Sequence, residues 1–246
     1  GAPSMLNAVL LTLIPAGAVI AGALLGFVWR PGATIRGAVQ HFTAGVVMAA
    51  VGAELLPELG SAHPLGIAIG FTLGGALMLA IKRWIGEADE KEEEAPGEKP
   101  GGNNTGLLVT VGVDLFIDGL LCAVALAAAP ESGLVIVAAL TLEVFFLGLA
   151  TSVSLSRPGA GAGGVMKACA LAALVPIGGA SGALAFLSLP DLWQVGILAF
   201  ATAALIYLVT EELLAEAHAD GEDTTFVAAT FFLGFLAVLM LKALGG

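Results

Sequence analysis

The 246-residue sequence predicts an all-α integral membrane protein with eight transmembrane helices. Three observations predict it. The first is composition: 58% of the residues are hydrophobic and 12% are charged, more apolar surface than a soluble domain of this length can hide. The second is a series of apolar runs, each near the roughly 20 residues that a helix needs to cross about 30 Å of hydrocarbon. They show no strand-like alternation, and helices are the open-chain way to satisfy backbone polar groups in lipid. The third is the placement of Lys and Arg, which gather on alternate connections.

The runs cover 5–28, 33–56, 64–84, 106–128, 133–155, 165–187, 193–217 and 225–244. Residues 1–4, Gly-Ala-Pro-Ser, read as a scar of expression cloning, with the native start at Met5. The first run lacks a basic leader and a clear cleavage site, so it reads as a span and not a signal peptide. With the N-terminus outside, the inner connections hold Arg30, Arg36, Lys82, Arg83, Lys91, Lys99, Arg157 and Lys167; Lys242 alone falls outside. Both termini are therefore expected outside the cell inner (plasma) membrane.

Spans one to three fill 5–84, and 85–105 is the one real linker, an acidic cytoplasmic loop. It carries Glu87, Asp89, Glu90, Glu92, Glu93, Glu94 and Glu98 but no His, the composition of a solvated connection. Spans four and five fill 106–155, and spans six to eight fill 156–246. The net charge of −11 comes largely from two loops and implies no nucleic-acid partner. Cys122 and Cys169 lie in apolar runs without metal-ligand spacing, and no disulfide framework is expected. There is also an internal echo: Glu54-Leu-Leu-Pro-Glu58 ends span two and Glu212-Leu-Leu-Ala-Glu216 ends span seven. On opposite sides of the membrane, such a pair is the mark of an inverted repeat, spans one to three against six to eight.

Span four carries Asp114 and Asp118 inside the apolar stretch 105–129. Residues four apart on a helix lie one above the other, roughly 6 Å between Cβ atoms. In lipid each carboxylate costs about 2.5–3.5 kcal/mol, so a partner is required: a proton, a cation or a basic side chain. No Lys or Arg lies between Gly106 and Leu155, which points to a proton or a bound cation. Span five adds Glu143. Counted at about 1.5 Å per residue, Asp118 lies roughly 18 Å from the inner surface and Glu143 roughly 15 Å from the outer one. Both depths fall close to the midplane, so three carboxylates can converge. Three anions at one depth repel unless they take up protons or a divalent cation, and the cation is the favoured reading.

These residues resemble the ZIP (Zrt-, Irt-like protein) divalent-metal transporters over essentially the whole chain. The likeness rests on eight spans with a long inner loop after the third. It rests also on Ala44-Gly-Val-Val47 with Glu54-Leu-Leu-Pro-Glu58, on Tyr207 with Glu211-Glu-Leu-Leu214, and on the metal motifs. The resemblance implies a 3+2+3 helix arrangement with metal held between spans four and five. Aligned on Gly119, Asp114 takes the His position of the family's H-N-x-P-E-G and Asp118 the Glu position. Aligned on Gly148, Glu143 takes the first ligand position of H-E-x-P-E-G. The family commonly holds two adjacent metals; the second metal's ligands would fall at Leu115, Val144, Leu147 and Val175, all apolar here. The resemblance so implies one site, of oxygens only, from Asp114, Asp118 and Glu143.

The expected function is transport of divalent metal, Zn²⁺ or a related ion such as Mn²⁺, Fe²⁺ or Cd²⁺, as substrate of that single site and not as an enzyme's cofactor. Glu54 and Glu58 would stand at the outer mouth, and Glu211, Glu212, Glu216 and His218 along the inner exit. His41 reads as a satisfied interfacial histidine. The lipid bilayer and the metal are the expected partners, and a homodimer is compatible with the sequence. One alternative is a ZIP-fold protein that binds metal or protons without transporting metal, as a sensor. An intramembrane aspartyl protease fits less well, because its dyad needs two carboxyls about 3 Å apart and these stack on one helix.

Overall fold

The computed structural model describes residues 5–29, 31–60, 63–93, 105–128, 130–155, 163–215 and 225–245. Among them every element is helical, and eight helices are long and apolar enough to cross a membrane. We label these α1 (Leu6–Gly26), α2 (Ala33–Gly60), α6 (Gly163–Ser188) and α7 (Leu192–Leu213) with α3 (Pro64–Glu93), α4 (Thr105–Ala128), α5 (Pro130–Leu155) and α8 (Thr225–Gly245) in chain order. Their bounds follow the apolar runs closely, with one difference. Helix α3 continues to Glu93, so the first part of the stretch expected as a loop is helical. Residues 85–93 are mostly Glu, Ala and Lys, good helix formers, and Glu87 stands four residues before Lys91, a spacing that favours the helix.

Two helices are broken, each for the same reason. The segments Met5–Leu11 and Leu13–Gly26 meet at Thr12, and the segments Gly163–Leu171 and Leu174–Ser188 meet at Ala172 and Ala173. A proline lacks the N–H that would bond four residues back. Pro15 and Pro176 stand three to four residues beyond these breaks.

Close approach of glycine to backbone sets the helix pairs. In α1, a Cβ at Gly22 would overlap the Phe145 carbonyl, and one at Gly26 would crowd the Leu149 carbonyl. In α6, Gly178 meets Phe116 in the same way and Gly182 meets Leu120. Both contacts advance in one direction along both chains, so α1 runs parallel to α5 and α6 runs parallel to α4. At the short α4–α5 connection Gly133 abuts Leu126, which makes α4 and α5 an antiparallel hairpin. Helices α1 and α6 therefore run in opposite directions.

The remaining pairs obey the same exchange. Gly234 of α8 abuts Phe42 of α2, and Gly74 of α3 abuts Phe200 of α7. Helix α2 has a π-helical turn at Val51–Leu55 and α7 has one at Leu208–Leu213, holding Glu54 and Glu212 respectively. Lys242 of α8 donates to the Ala53 carbonyl at 2.6 Å, while Lys82 of α3 meets Glu211 at 2.5 Å. Each lysine so reaches across to the π turn of its partner helix. The echo between Glu54-Leu-Leu and Glu212-Leu-Leu is one element of an inverted repeat that relates α1–α3 to α6–α8 and α4 to α5. The central core of small and aliphatic side chains from α2, α4, α5 and α7 includes Val47, Leu121, Cys122, Leu140 and Leu205, each buried.

Candidate metal centre

Glycine packing also aims the carboxylates. Gly119 of α4 sits against the Val175 carbonyl, and Gly148 of α5 against that of Val19. Those contacts turn one face of α4 toward α6 and one face of α5 toward α1. The faces that carry Asp114, Asp118 and Glu143 are left looking at each other. The three residues offer ligand oxygens that all lie within 4.8 Å of one another. Oxygen–metal bonds of about 2.0–2.6 Å put opposite ligands roughly 4–5 Å apart, so one cation can bridge this set.

Burial is graded along α4. Asp114 is half-buried and lines a cavity of about 430 Å³ together with Glu143. Asp118 is fully buried, 0% exposed, and both its Oδ atoms lack a hydrogen-bond partner among the described residues. A buried polar group without a partner is costly, and an ionised one far more so. A proton or a cation on Asp118 would relieve that cost.

The cavity extends from the carboxylates to one end of the bundle, where α2 begins and where α7 and the membrane-crossing part of α3, Pro64–Trp84, end. Glu211 and Glu212 line it, so the structure brings both of these predicted pathway residues to the cavity that reaches the site. Glu58 is exposed near the end of α2, outside the cavity lining. The Glu54 side chain, Glu216 and His218 lie outside the described residues. His41 is buried, and its Nδ1 lies 2.9 Å from the Gly37 carbonyl oxygen.

Four of the residues that line the cavity came from no motif: Arg36, Gln40, Thr43 and Lys82. No Lys or Arg lies between Gly106 and Leu155, yet helices α2 and α3 carry two cationic side chains into the same cavity. Lys82 is paired with Glu211 there. The signal available in sequence was their position, one at the start of α2 and one at the end of the membrane-crossing part of α3, both at the end of the bundle where α4 begins.

The four positions opposite the expected second metal also come together. Leu115, Val144 and Val175 are each 0% exposed and share one apolar cluster, with Leu147 packed against it. Its members, among them Val19, Val111 and Ala172, offer no ligand atom. The neighbourhood of the carboxylates is thus polar on one side and dry on the other. The sequence matches no protein-family model and no curated protein.

Proposed function

We propose that this protein carries divalent metal ions across a membrane in the manner of the ZIP transporters, through one carboxylate site between α4 and α5. The observation that carries the reading is the convergence of Asp114, Asp118 and Glu143 within 4.8 Å at the inner limit of a cavity. The inverted repeat supports it, since transporters of this build hold their substrate near the midplane at the repeat interface. In this reading metal enters past Glu54, rests on the three carboxylates and leaves past Glu212 and Glu211. The cavity end with Lys82 and Glu211 is then the inner side, and the structure is the inward-open state.

The site chemistry narrows the substrate. Three carboxylates form a hard set, suited to Mn²⁺, Mg²⁺ and Ca²⁺, whereas His and Cys suit Zn²⁺ better. The general affinity order still favours Zn²⁺ over Mn²⁺, so a reduced margin between them is expected. A second reading, binding without transport, draws on the apolar cluster at Leu115, Val144 and Val175, which removes the neighbouring station. Metal uptake by sealed proteoliposomes, measured beside calorimetric binding, separates the two. Uptake lost in Asp118→Ala supports the carrier. Binding with no uptake supports the sensor, and no metal binding at all ends the carrier and leaves only a protein that binds protons.

A further inference from the structure

Helix α2 presents two further oxygens to the cavity that Asp114 and Glu143 line. Gln40 and Thr43 both line it, and they stand three residues apart, on one face of the helix. Thr43 is 1% exposed. Its Oγ1 and the Oε1 of Gln40 are buried, and neither has a hydrogen-bond partner among the described residues. In a helix such a hydroxyl has a ready acceptor, the carbonyl four residues before. Thr141, Thr151, Thr202 and Thr210 each donate to that carbonyl; Thr43 does not. A buried oxygen left without a partner costs free energy. Depth places the pair beside the carboxylates. Counted at about 1.5 Å per residue, Thr43 lies roughly 15 Å from the start of α2 at Ala33, and Asp114 roughly 14 Å from the start of α4 at Thr105. Both helices start at the open end of the cavity. Gln40 lies about one turn nearer that end. Helix α2 also packs directly against α5, which carries Glu143.

We propose that Thr43 Oγ1 and Gln40 Oε1 are further oxygen ligands of the cation held by Asp114, Asp118 and Glu143, directly or through one water, and that they set a preference for ions of high coordination number. This rests on the metal reading above and deepens it. Three carboxylates and a water satisfy four-coordinate Zn²⁺. Mn²⁺ and Mg²⁺ take six oxygens, and Ca²⁺ six to eight. Hydroxyl and amide oxygens are hard, neutral ligands that those ions accept without adding charge to a site that already holds three anions. An oxygen pair from α2 therefore strengthens the hold on Mn²⁺ and leaves that on Zn²⁺ nearly as it was.

The test uses the full chain in detergent micelles. Mn²⁺ binding is followed by electron paramagnetic resonance and Zn²⁺ binding by calorimetry. Thr43→Val keeps the shape of the side chain and deletes its oxygen. Expected is an Mn²⁺ affinity at least about tenfold weaker in Thr43→Val and in Gln40→Leu, with a changed spectrum of whatever Mn²⁺ remains bound. Zn²⁺ affinity should stay within about twofold, which also reports that the variants are folded. Thr43→Ser, which returns the hydroxyl, should restore Mn²⁺ binding. Ser152→Ala is the control: its Oγ is likewise buried without a partner among the described residues, but it packs near Gly26 of α1, outside the cavity lining, and its loss should change neither affinity. Should Thr43→Val fail to fold, Gln40→Leu carries the test. Mn²⁺ affinity unchanged in the folded variants, or equal losses for the two metals, overturns the α2 ligands and leaves the carboxylate site standing. So does a wild type that takes Zn²⁺ and not Mn²⁺. A wild type that binds neither ion overturns the metal reading as well.

Discussion

Asp114 and Glu143 occupy equivalent positions in the two oppositely directed halves of the bundle. Each stands five residues before a glycine, Gly119 or Gly148, that abuts a backbone carbonyl of its parallel neighbour. The inverted symmetry therefore presents one carboxylate from each side of the pseudo-twofold axis. Asp118 breaks the symmetry, because its equivalent is Leu147. The central carboxylate is thus contributed by one half only, and it is the most deeply buried of the three.

That asymmetry makes Asp118 the residue to remove first. Asp118→Asn keeps the shape and deletes the ionisable group. We expect the loss of detectable divalent-ion binding together with a rise in the melting temperature of the metal-free protein. Asp118→Leu, which removes the polar group as well as the ionisable one, should gain more, of order 1–3 kcal/mol, the cost of a buried polar group left without a partner. Calorimetry and a thermal melt in chelator check the two parts. Unchanged binding would show that the carboxylates are structural and the motif alignment wrong.

Protons and metal should compete for the site, because a carboxylate ligand must be ionised to bind. Affinity should therefore fall as the pH is lowered, and binding should release protons to the buffer. Calorimetry in two buffers of different ionisation enthalpy measures that release. Heats that do not depend on the buffer would contradict a proton-linked site.

Asp114→His places an imidazole at the edge of the cavity. Imidazole favours Zn²⁺ over Mn²⁺ relative to a carboxylate, so the ratio of the two affinities should rise by about tenfold or more. Competition binding measures it directly, and an unchanged ratio would place residue 114 outside the coordination shell.

Gly119→Ala probes the architecture and not the chemistry. A Cβ there would overlap the Val175 carbonyl, so α4 must shift away from α6. We expect about 1–3 kcal/mol of destabilisation and weaker metal binding, because the shift turns Asp118 out of register. Gly75→Ala, where a Cβ meets nothing within 4 Å, is the control and should leave both unchanged.

Orientation is tested by labelling. A cysteine placed at Glu93, at the end of α3, should react only from the inner side if the basic residues set the topology. Labelling from outside in intact cells would reverse the direction of the path from Glu54 to Glu211.

Much of this protein was legible from the chain alone, and the reasons are physical. Lipid demands apolar runs of a set length with internally bonded backbones, so eight spans can be counted directly. The i,i+4 pairing of Asp114 with Asp118 is a property of one helix and needs no neighbour. The echo between Glu54 and Glu212 announced the repeat, although so short a match could not show that π turns, prolines and lysines repeat with it. Other features depended on which helices pack together. The approach of Glu143 to the two aspartates is set by Gly22, Gly119, Gly148 and Gly178 meeting carbonyls on neighbouring helices. The same packing gathers Leu115, Val144 and Val175 into one dry cluster and brings Arg36 and Lys82 into the cavity beside the acids. Those relations join residues far apart in sequence, and helical periodicity within a single span carries no information about them. Only the tertiary structure decided them, because close packing of small residues selects each helix's partner and register.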